Sequence, residues 1–218
     1  MKPVLVAFAT REGQTRKIAE HVAATIRARG DQAELLDLGS GARVELEPTA
    51  YAAVVLAASV HVGKHEREMV DFVKRYHEEL ERLPTAFLSV SLSEAGVEDM
   101  TATFEARSKA AVDVKRMIDD FCHQTGFHPS RVWPVAGALM YSEYGALVRF
   151  VMRRIARHAG QSTDTTHDHE YTDWKGLHRF VDALMTELEE ESDARPRDRR
   201  QGVATREQAR VSPPSQAR

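Results

Sequence analysis

A short polar loop near the start of the chain has the residue types of an anion site. It reads TREGQT, from Thr10 to Thr15, between the apolar run VLVAFA and a segment of helical periodicity. A strand, a small-residue loop and a helix place backbone N–H groups around the positive end of that helix. Gly13 permits close approach to a ligand, and the hydroxyls of Thr10 and Thr15 are further donors, with Thr15 also placed to cap the helix.

The same loop narrows the kind of phosphate ligand. It lacks the lysine of a nucleoside triphosphate loop and the three glycines of a dinucleotide loop, so both of those ligands are disfavoured. An ordinary capped helix after a turn is the alternative that this motif alone leaves open.

Two further loops place small and polar residues after apolar runs. ASVHVG contains Ser59, Val60, His61, Val62 and Gly63, and SVSL contains Ser89, Val90, Ser91 and Leu92. In an open parallel sheet, ligands bind beyond the carboxyl ends of the strands, where the strand order reverses. With the order 2-1-3-4-5, the loops after strands one and three border that crevice, and the fourth strand supplies a third wall. A phosphate at the first loop and a flat ring between the other two would suit flavin mononucleotide (FMN).

Five apolar runs alternate with helical segments along the chain, the pattern of a parallel sheet with helices on both faces. The runs begin at Val4, Ala33, Tyr51, Thr85 and Arg131. The predicted helical stripes are Ile18, Val22 and Ile26; Met69, Phe72, Val73, Tyr76 and Leu80; Phe104, Ala111, Val114, Ile118 and Phe121; and Trp174, Leu177, Val181, Leu184 and Leu188. Between Leu38 and Tyr51 no clear stripe is present, so we expect the second helix to be short or missing. The fold class is therefore α/β, a doubly wound five-stranded parallel sheet of order 2-1-3-4-5.

The predicted domain covers residues 1–188, and a charged tail follows it. Residues 189–218 hold almost no large apolar side chains, so they cannot offset their ordering entropy and are predicted to be disordered. The formal net charge of −3 gives no indication of nucleic-acid binding. The single cysteine, Cys122, fits a reducing compartment. Since no signal peptide or window of about 20 apolar residues is found, we expect a cytosolic chain, or one that sits on a membrane without crossing it.

An amphipathic segment follows the fifth apolar run. From Tyr144 to His158, at about 100° per residue, apolar side chains share one face and arginines the other. The apolar face is Leu147, Val148, Val151, Met152 and Ile155, and the opposite face is Arg149, Arg153, Arg154 and Arg157, with Phe150 among the arginines. A solvated basic face on a docked helix is one interpretation. Anionic lipid headgroups, or the carboxylates of a ligand, are the other partners that suit such a face.

These motifs together resemble one family. TREGQT, ASVHVG, SVSL and the run from AGALMY to STDTTHDHEYTDW are similar, in order and spacing, to the menaquinone-dependent protoporphyrinogen oxidases of the flavodoxin-like superfamily. The resemblance covers about residues 1–188, and the insert at about 140–161 separates these oxidases from simple flavodoxins. His61 and Val62 stand where the family tends to carry a larger aromatic or cationic pair, so His61 is the stacking candidate for the flavin ring.

The resemblance implies FMN-dependent oxidation of protoporphyrinogen IX in haem biosynthesis, with menaquinone or ubiquinone as electron acceptor. The residues that it assigns to the phosphate are Thr10, Arg11, Glu12, Gly13, Gln14 and Thr15, and the two later loops would flank the ring. Arg149, Phe150, Arg153 and Arg157 would contact the substrate propionates or the membrane, at the cytoplasmic face of the inner membrane. No catalytic acid/base pair is expected, because the flavin performs the chemistry.

Other functions remain open at this point. A flavodoxin-type electron carrier, or a quinone reductase acting on other redox partners, would bind the same FMN, and a scaffold that has lost flavin would bind only a membrane or a partner. Carriers generally show a strongly acidic surface, which the net charge of −3 argues against. His61 with His65, and the run HDHE at His167–Glu170, could be interpreted as metal ligands. A metal site usually needs three or four ligands, so we expect none.

Overall fold

The computed structural model describes residues 2–41, 46–139 and 169–194. Its main strands are β1 (Val4–Ala9), β2 (Ala33–Asp37), β3 (Ala53–His61), β4 (Lys64–His65), β5 (Thr85–Ser91) and β6 (Arg131–Ala136). Five of these form a parallel sheet in the order β2-β1-β3-β5-β6, and β4 pairs antiparallel with the end of β3. Counting the parallel strands alone, the order is 2-1-3-4-5, so the predicted fold class is confirmed.

Helices cover both faces of this sheet. The α-helices of the described ranges are α1 (Gln14–Ala28), α2 (Arg67–Arg75), α3 (His77–Leu80), α4 (Leu92–Glu98), α5 (Phe104–Thr125) and α6 (Trp174–Ala194). On one face α1 and α6 pack against the sheet, and on the other α2, α3 and α5 do so. No helix in the described ranges is long and apolar enough to cross a membrane.

Burial on both faces explains why the central strands are apolar along their length. Successive side chains of a strand point to opposite faces. In β1, Val4, Val6 and Phe8 belong to the core under α1 and α6, whereas Leu5 and Ala7 belong to the core under α2 and α5. Every residue of β1 is therefore buried, as a strand between two helical layers requires.

The second helix of the doubly wound pattern is replaced by short turns in the described residues. Two 3₁₀ helices, Leu38–Ser40 and Pro48–Ala50, lie between β2 and β3, and residues 42–45 are outside the described ranges. The carboxylates of Asp37 and Glu47 cap them by accepting from the backbone N–H groups of Gly39 and Thr49. The expectation of a short or missing helix agrees with this arrangement.

Two predicted stripes differ from the structure. The stripe from Met69 to Leu80 is divided between α2 and α3, because Tyr76 leaves helical geometry (φ −112°, ψ 27°) while its ring packs on Phe72. In α5 the predicted core residue Phe104 is 85 % exposed, and Ala111 is also exposed. The buried residues of α5 begin only at Val114, so the first turns of the helix extend past the core.

The predicted fifth strand is also shorter than expected. β6 ends at Ala136, and after Gly137 a separate strand, β7 (Ala138–Leu139), pairs antiparallel with β8 (His169–Glu170). The last two residues of HDHE, His169 and Glu170, are therefore paired in a strand. The expected insert at about 140–161 lies outside the described residues.

The last helix continues beyond the predicted domain boundary. α6 runs to Ala194, so residues 189–194, expected to be disordered, are helical. Arg29 at the end of α1 supports this continuation by donating to Glu189 over 3.0 Å. The rest of the predicted tail, from residue 195, lies outside the described residues.

Candidate functional site

A cleft opens at the edge of the sheet where β1, β3 and β5 end. It holds about 430 Å³, including space open to solvent. The lining residues are Thr10, Glu12, Gln14, Thr15, Ser59, Val60, His61, Val90, Ser91, Leu92, Gly137 and Ala138. All three loops singled out from the sequence therefore meet at one site. The other proposed contacts, Arg11, Gly13, Val62, Gly63 and Ser89, lie beside this lining.

The first loop presents unpaired donors to the cleft. Gly13 has φ 86°, a left-handed conformation that glycine adopts without strain, and its N–H donates to Thr10 Oγ1 over 3.1 Å. The helix begins at Gln14, so the expected capping role of Thr15 is wrong: Thr15 lies inside the first turn and no side chain caps α1. The first amides of a helix have no intrahelical acceptor. They are the anion donors that the loop motif predicts.

Two buried polar atoms of this loop test whether a phosphate-bearing ligand fits. Within the described residues, neither Thr15 Oγ1 nor Gln14 Oε1 has a hydrogen-bond partner, although both atoms are buried. Buried polar groups in native proteins are nearly always paired, and an unpaired one costs about 1–3 kcal/mol. A ligand with a phosphate that accepts from Thr15 and a hydroxyl that donates to Gln14 would satisfy both. The residues present therefore fit such a ligand.

The amide of Gln14 ties the first loop to the far wall of the cleft. Its Nε2 donates to Thr172 Oγ1 over 2.9 Å, and the Thr172 hydroxyl donates to the carbonyl of Ala136 over 2.7 Å. Both side chains are buried. Sequence reasoning missed Thr172 because it is 158 positions from Gln14.

The second loop is a tight hairpin between β3 and β4. Val62 and Gly63 form its two-residue turn with φ 51° and 74°, the positive values that such a turn demands. A β-branched residue is strained there, at a cost of about 1–2 kcal/mol. Val62 is 85 % exposed at the tip, whereas His61 lies in the cleft with its Nδ1 3.6 Å from Glu12 Oε1.

Glu66 connects the first two loops, and sequence reasoning missed it. Its side chain is 2 % exposed, and Ser59 Oγ donates to Oε1 over 3.1 Å while Arg11 Nε donates to Oε2 over 2.9 Å. This hydrogen bond and the charge of Glu66 raise the pKa of Arg11 above its ordinary value. Arg11 therefore turns towards the start of α2, which explains why it does not line the cleft.

Ser89 lies beneath the cleft, where it pairs with a buried histidine. His65 Nε2 is 2.9 Å from Ser89 Oγ, and its ring packs against Phe87 and Phe121 with centroids 5.1 and 5.0 Å away. Burial lowers the pKa of His65 to about 4, because the charged form loses its hydration. His65 is therefore a neutral core residue at neutral pH, and its cross-strand neighbour is Val60 rather than His61.

The third wall joins the end of β5 to the start of β7. Ser91 Oγ caps α4 by accepting from the N–H of Glu94, and the N–H of Gly137 donates to the carbonyl of Ser91 over 3.0 Å. A Cβ on Gly137 would lie 3.5 Å from Val90, so the walls approach closely. Burial, with the charge of Glu98, raises the pKa of Glu94 to about 7. Gly137 and Ala138 were not among the predicted site residues, although the glycine after an apolar run was a usable signal.

Comparison with known proteins identifies the family of this fold and cleft. The model described as the flavodoxin domain matches residues 5–166. The chain belongs to the flavodoxin family.

Curated relatives of this flavodoxin-family chain share one name. The protoporphyrinogen IX dehydrogenase (quinone) of Escherichia coli (strain K12) is 33% identical over 179 residues, which are 81% of this chain and 91% of that protein. A protein of the same name from Leishmania major is 29% identical over 178 residues, 81% of this chain and 72% of that protein. Among solved structures, flavodoxin 1 from Bacillus cereus gives a TM-score of 0.46 at 15% identity, over 84% of this chain and 97% of that one.

The remaining predicted site residues cannot be placed in this flavodoxin-family structure. Arg149, Phe150, Arg153 and Arg157 lie outside the described residues. The described chain leaves the core through β7 and re-enters through β8, and Tyr171 N donates to the carbonyl of Gly137 over 3.1 Å. Both ends of the segment that holds those arginines are therefore fixed next to the cleft.

The Glu66 link predicts a stability difference between two carboxylates near the same helix. Glu66→Ala leaves Ser59 without its acceptor and Arg11 without its partner, so the free energy of unfolding should fall by about 1–3 kcal/mol. Asp71→Asn is the matched control, because the Asp71–Arg67 pair on α2 is exposed and should change stability by less than about 0.5 kcal/mol. Urea unfolding measures both, and equal losses would show that Glu66 is not a structural link.

The buried imidazole of His65 predicts a pH dependence of stability. Its pKa is about 4 in the folded chain and near 6.5 when unfolded, so the unfolded state binds the proton first as the pH falls. Stability is therefore kept above pH 6.5 and lost between pH 6.5 and 4, by about 3 kcal/mol in total. Urea unfolding of wild type should show this extra loss relative to His65→Gln. His123→Gln, at an exposed site on α5, should retain it, and parallel profiles for all three would contradict the assignment.

Proposed function

We propose that this chain is an FMN-dependent oxidoreductase that oxidises protoporphyrinogen IX to protoporphyrin IX and passes the electrons to a quinone. The observation that supports FMN as the cofactor is the pair of buried, unpartnered atoms in the first loop, Thr15 Oγ1 and Gln14 Oε1. The support for the substrate is the shared name of the curated relatives, one of which is 33% identical over most of both chains.

The phosphate of FMN would lie against the start of α1. The proposed contacts are Thr10, Arg11, Glu12, Gly13, Gln14 and Thr15. The first-turn amides and the Thr15 hydroxyl are donors without acceptors among the described residues, so they bind a dianion without losing existing hydrogen bonds. Arg11 adds positive charge near this loop while Glu66 fixes its side chain.

The flavin ring would lie between the second and third loops. One side is Ser59, Val60, His61, Val62 and Gly63, and the other is Ser89, Val90, Ser91 and Leu92. Of these, Ser89 would support the ring site from beneath the cleft. Val62 and Gly63 form a hairpin tip whose exposed apolar side chain is available to cover a flat ring. The stacking role of His61 remains a prediction, because its imidazole faces Glu12.

FMN supplies the redox chemistry when bound, by accepting a hydride from the substrate. The residues of this chain bind the phosphate, hold the ring at the edge of the sheet and limit water at the inner end of the cleft. That end is closed by hydrogen bonds between Gln14 and Thr172 and between Gly137 and Ser91.

The segment between β7 and β8 is the proposed substrate and membrane contact. Arg149, Arg153 and Arg157 are suited to propionates or anionic headgroups, and Phe150 to the membrane interface. The strands β7 and β8 border that segment in the chain, and β7 contributes Ala138 to the cleft wall, which supports a contact near the flavin. Because menaquinone and ubiquinone dissolve in the bilayer, we propose a peripheral site at the cytoplasmic face of the inner membrane.

Cofactor binding can be tested at Gly13 with a glycine of the same geometry as control. Gly13→Val forces a branched side chain into φ 86° and displaces the first-turn amides, so FMN affinity should fall at least about tenfold, the loss of one charge-assisted hydrogen bond. Gly30→Val has equal backbone strain at φ 90° at the other end of α1 and should retain FMN. Quenching of flavin fluorescence measures both affinities. A colourless wild-type protein that refuses added FMN would refute the cofactor.

Deletion of residues 142–161 distinguishes the proposed oxidase from a flavodoxin-type carrier and from a reductase that acts on other partners. FMN binding should survive the deletion, whereas anaerobic oxidation of protoporphyrinogen IX with menaquinone should be lost. Because a deletion can disturb folding, the triple variant Arg149→Gln, Arg153→Gln, Arg157→Gln provides a second test and should raise KM for the porphyrinogen. Wild-type protein that binds FMN but shows no turnover with either quinone would favour the carrier.

A further inference from the structure

We propose that His61, oriented by Glu12, accepts the proton that leaves a pyrrole nitrogen of the substrate during each two-electron oxidation. This inference rests on the proposed function and assigns a catalytic residue to it. Neither the family resemblance nor the expectation of flavin chemistry alone supplies such a group.

The composition of the cleft points to this pair. Twelve residues line it, and ten of them are apolar, hydroxyl-bearing, amide or glycine residues that carry neither a carboxyl group nor an imidazole. The two exceptions in the described part of the lining are Glu12 and His61. Imidazole is the side chain best suited to exchange a proton at neutral pH. If a side chain of the described cleft accepts a proton at that pH, His61 is therefore the best candidate.

The geometry of the pair is that of an oriented base. His61 Nδ1 lies 3.6 Å from Glu12 Oε1, and the two side chains are 35 % and 22 % exposed. Glu12 lies on the Nδ1 side of the ring, so the tautomer with its proton on Nδ1 leaves Nε2 free to accept the substrate proton. Partial exposure of His61 then allows that proton to pass to solvent.

The other charged groups near His61 either form ion pairs of their own or are its neighbours in the hairpin backbone. Arg11, from the same loop as Glu12, is bound to Glu66, and the second oxygen of Glu66 accepts from Ser59. Lys64 is the cross-strand backbone partner of His61 in the β3–β4 hairpin. Glu12 is therefore the acid that faces the imidazole.

The reaction requires such an acceptor. In each step a C–H bond of a bridging methylene breaks, and its electron pair leaves with the hydrogen as hydride to the flavin. The N–H bond of an adjacent pyrrole breaks, its electron pair stays on the macrocycle to form the new double bond, and its proton goes to His61 Nε2. After three such steps one bridge is still a methylene, and one of its hydrogens moves as a proton to a pyrrole nitrogen, so that the macrocycle has lost four bridge hydrogens and two N–H hydrogens in all. The oxidant is the flavin, which the quinone reoxidises, so three hydrides and three protons leave and the electrons balance.

Chemical rescue tests proton transfer directly. At saturating FMN, His61→Ala should lower kcat for protoporphyrinogen IX about 100-fold, within the range of general base catalysis, and added imidazole should restore much of the rate. Glu12→Gln should lower kcat less than His61→Ala does, because the imidazole is then less well oriented but still present. A second variant, His61→Asn, keeps a polar side chain and should be equally slow.

A matched histidine–glutamate pair on another helix is the control. His77 Nε2 lies 3.6 Å from Glu81 Oε1, with side chains 38 % and 47 % exposed, and neither residue lines the cleft. His77→Ala and Glu81→Gln should leave kcat and the pH profile unchanged. Equal effects at both pairs would mean that the loss is general and would overturn the proposal.

The midpoint potential of bound FMN gives a readout that does not depend on turnover. Reduced flavin carries more negative charge than oxidised flavin, so an imidazolium in the same cleft stabilises it. The wild-type potential should exceed that of His61→Ala at pH 5.5, and the two should converge by pH 9. A constant difference, or none, would show that His61 does not exchange a proton beside the flavin.

The outcomes separate this inference from the proposed function. No porphyrinogen turnover by wild-type protein that holds FMN would overturn the proposed function and, with it, this role of His61. Normal wild-type turnover together with an unchanged rate in His61→Ala and His61→Asn would overturn the inference alone. His61→Ala could instead be slow without rescue by imidazole, while the FMN midpoint potentials of wild type and variant differ by the same amount at every pH. That result would assign His61 to packing.

Discussion

The parallel pairing of β1 with β3 is the constraint from which the cleft follows. Their register runs from Val4 opposite Ala53 to Ala9 opposite Ala58, so the loops after both strands emerge at one edge. Arg11 and Glu66 are 55 positions apart in the sequence and meet only because of this register. The Glu12–His61 pair depends on it in the same way. Burial of both strand faces specifies the register, since a slip by one residue would exchange the two cores.

The helical layers and the position of the cleft could be predicted, because short stretches of the sequence carry the signal for each of them. A strand buried on both faces must be continuously apolar, and VLVAFA is. The carboxyl ends of parallel strands share an edge, so three small-residue loops were expected to meet. The α4 helix carried a local signal as well, because Ser91 and Glu94 have the spacing of a capping box, and Ser91 does cap it.

The links across the cleft could not be predicted, because their signal is not local. Glu66 looks like one more charged residue before an amphipathic helix, and only the fold reveals that it is buried with two donors. Thr172 could not be predicted for the same reason, because its hydrogen-bond partner Gln14 is far away in the sequence. The prediction of buried residues in α5 was wrong for a different reason. Helical periodicity identifies one face of a helix but not the point at which the helix extends past the core. Phe104 was therefore expected to be buried and is exposed.

The cleft contains features that destabilise the folded protein unless other contacts compensate for them. Val62 is strained in the left-handed region, and two buried polar atoms of the first loop lack partners among the described residues. Each feature costs about 1–3 kcal/mol, and surrounding contacts such as Glu66 with Arg11 and Ser59 must offset that cost. A ligand that satisfies those atoms recovers it as binding free energy. Because the donors are already in place, little conformational entropy is lost on binding. The same contacts fix His61 relative to Glu12 in the first loop, so the groups proposed for ligand binding and for proton transfer share one scaffold.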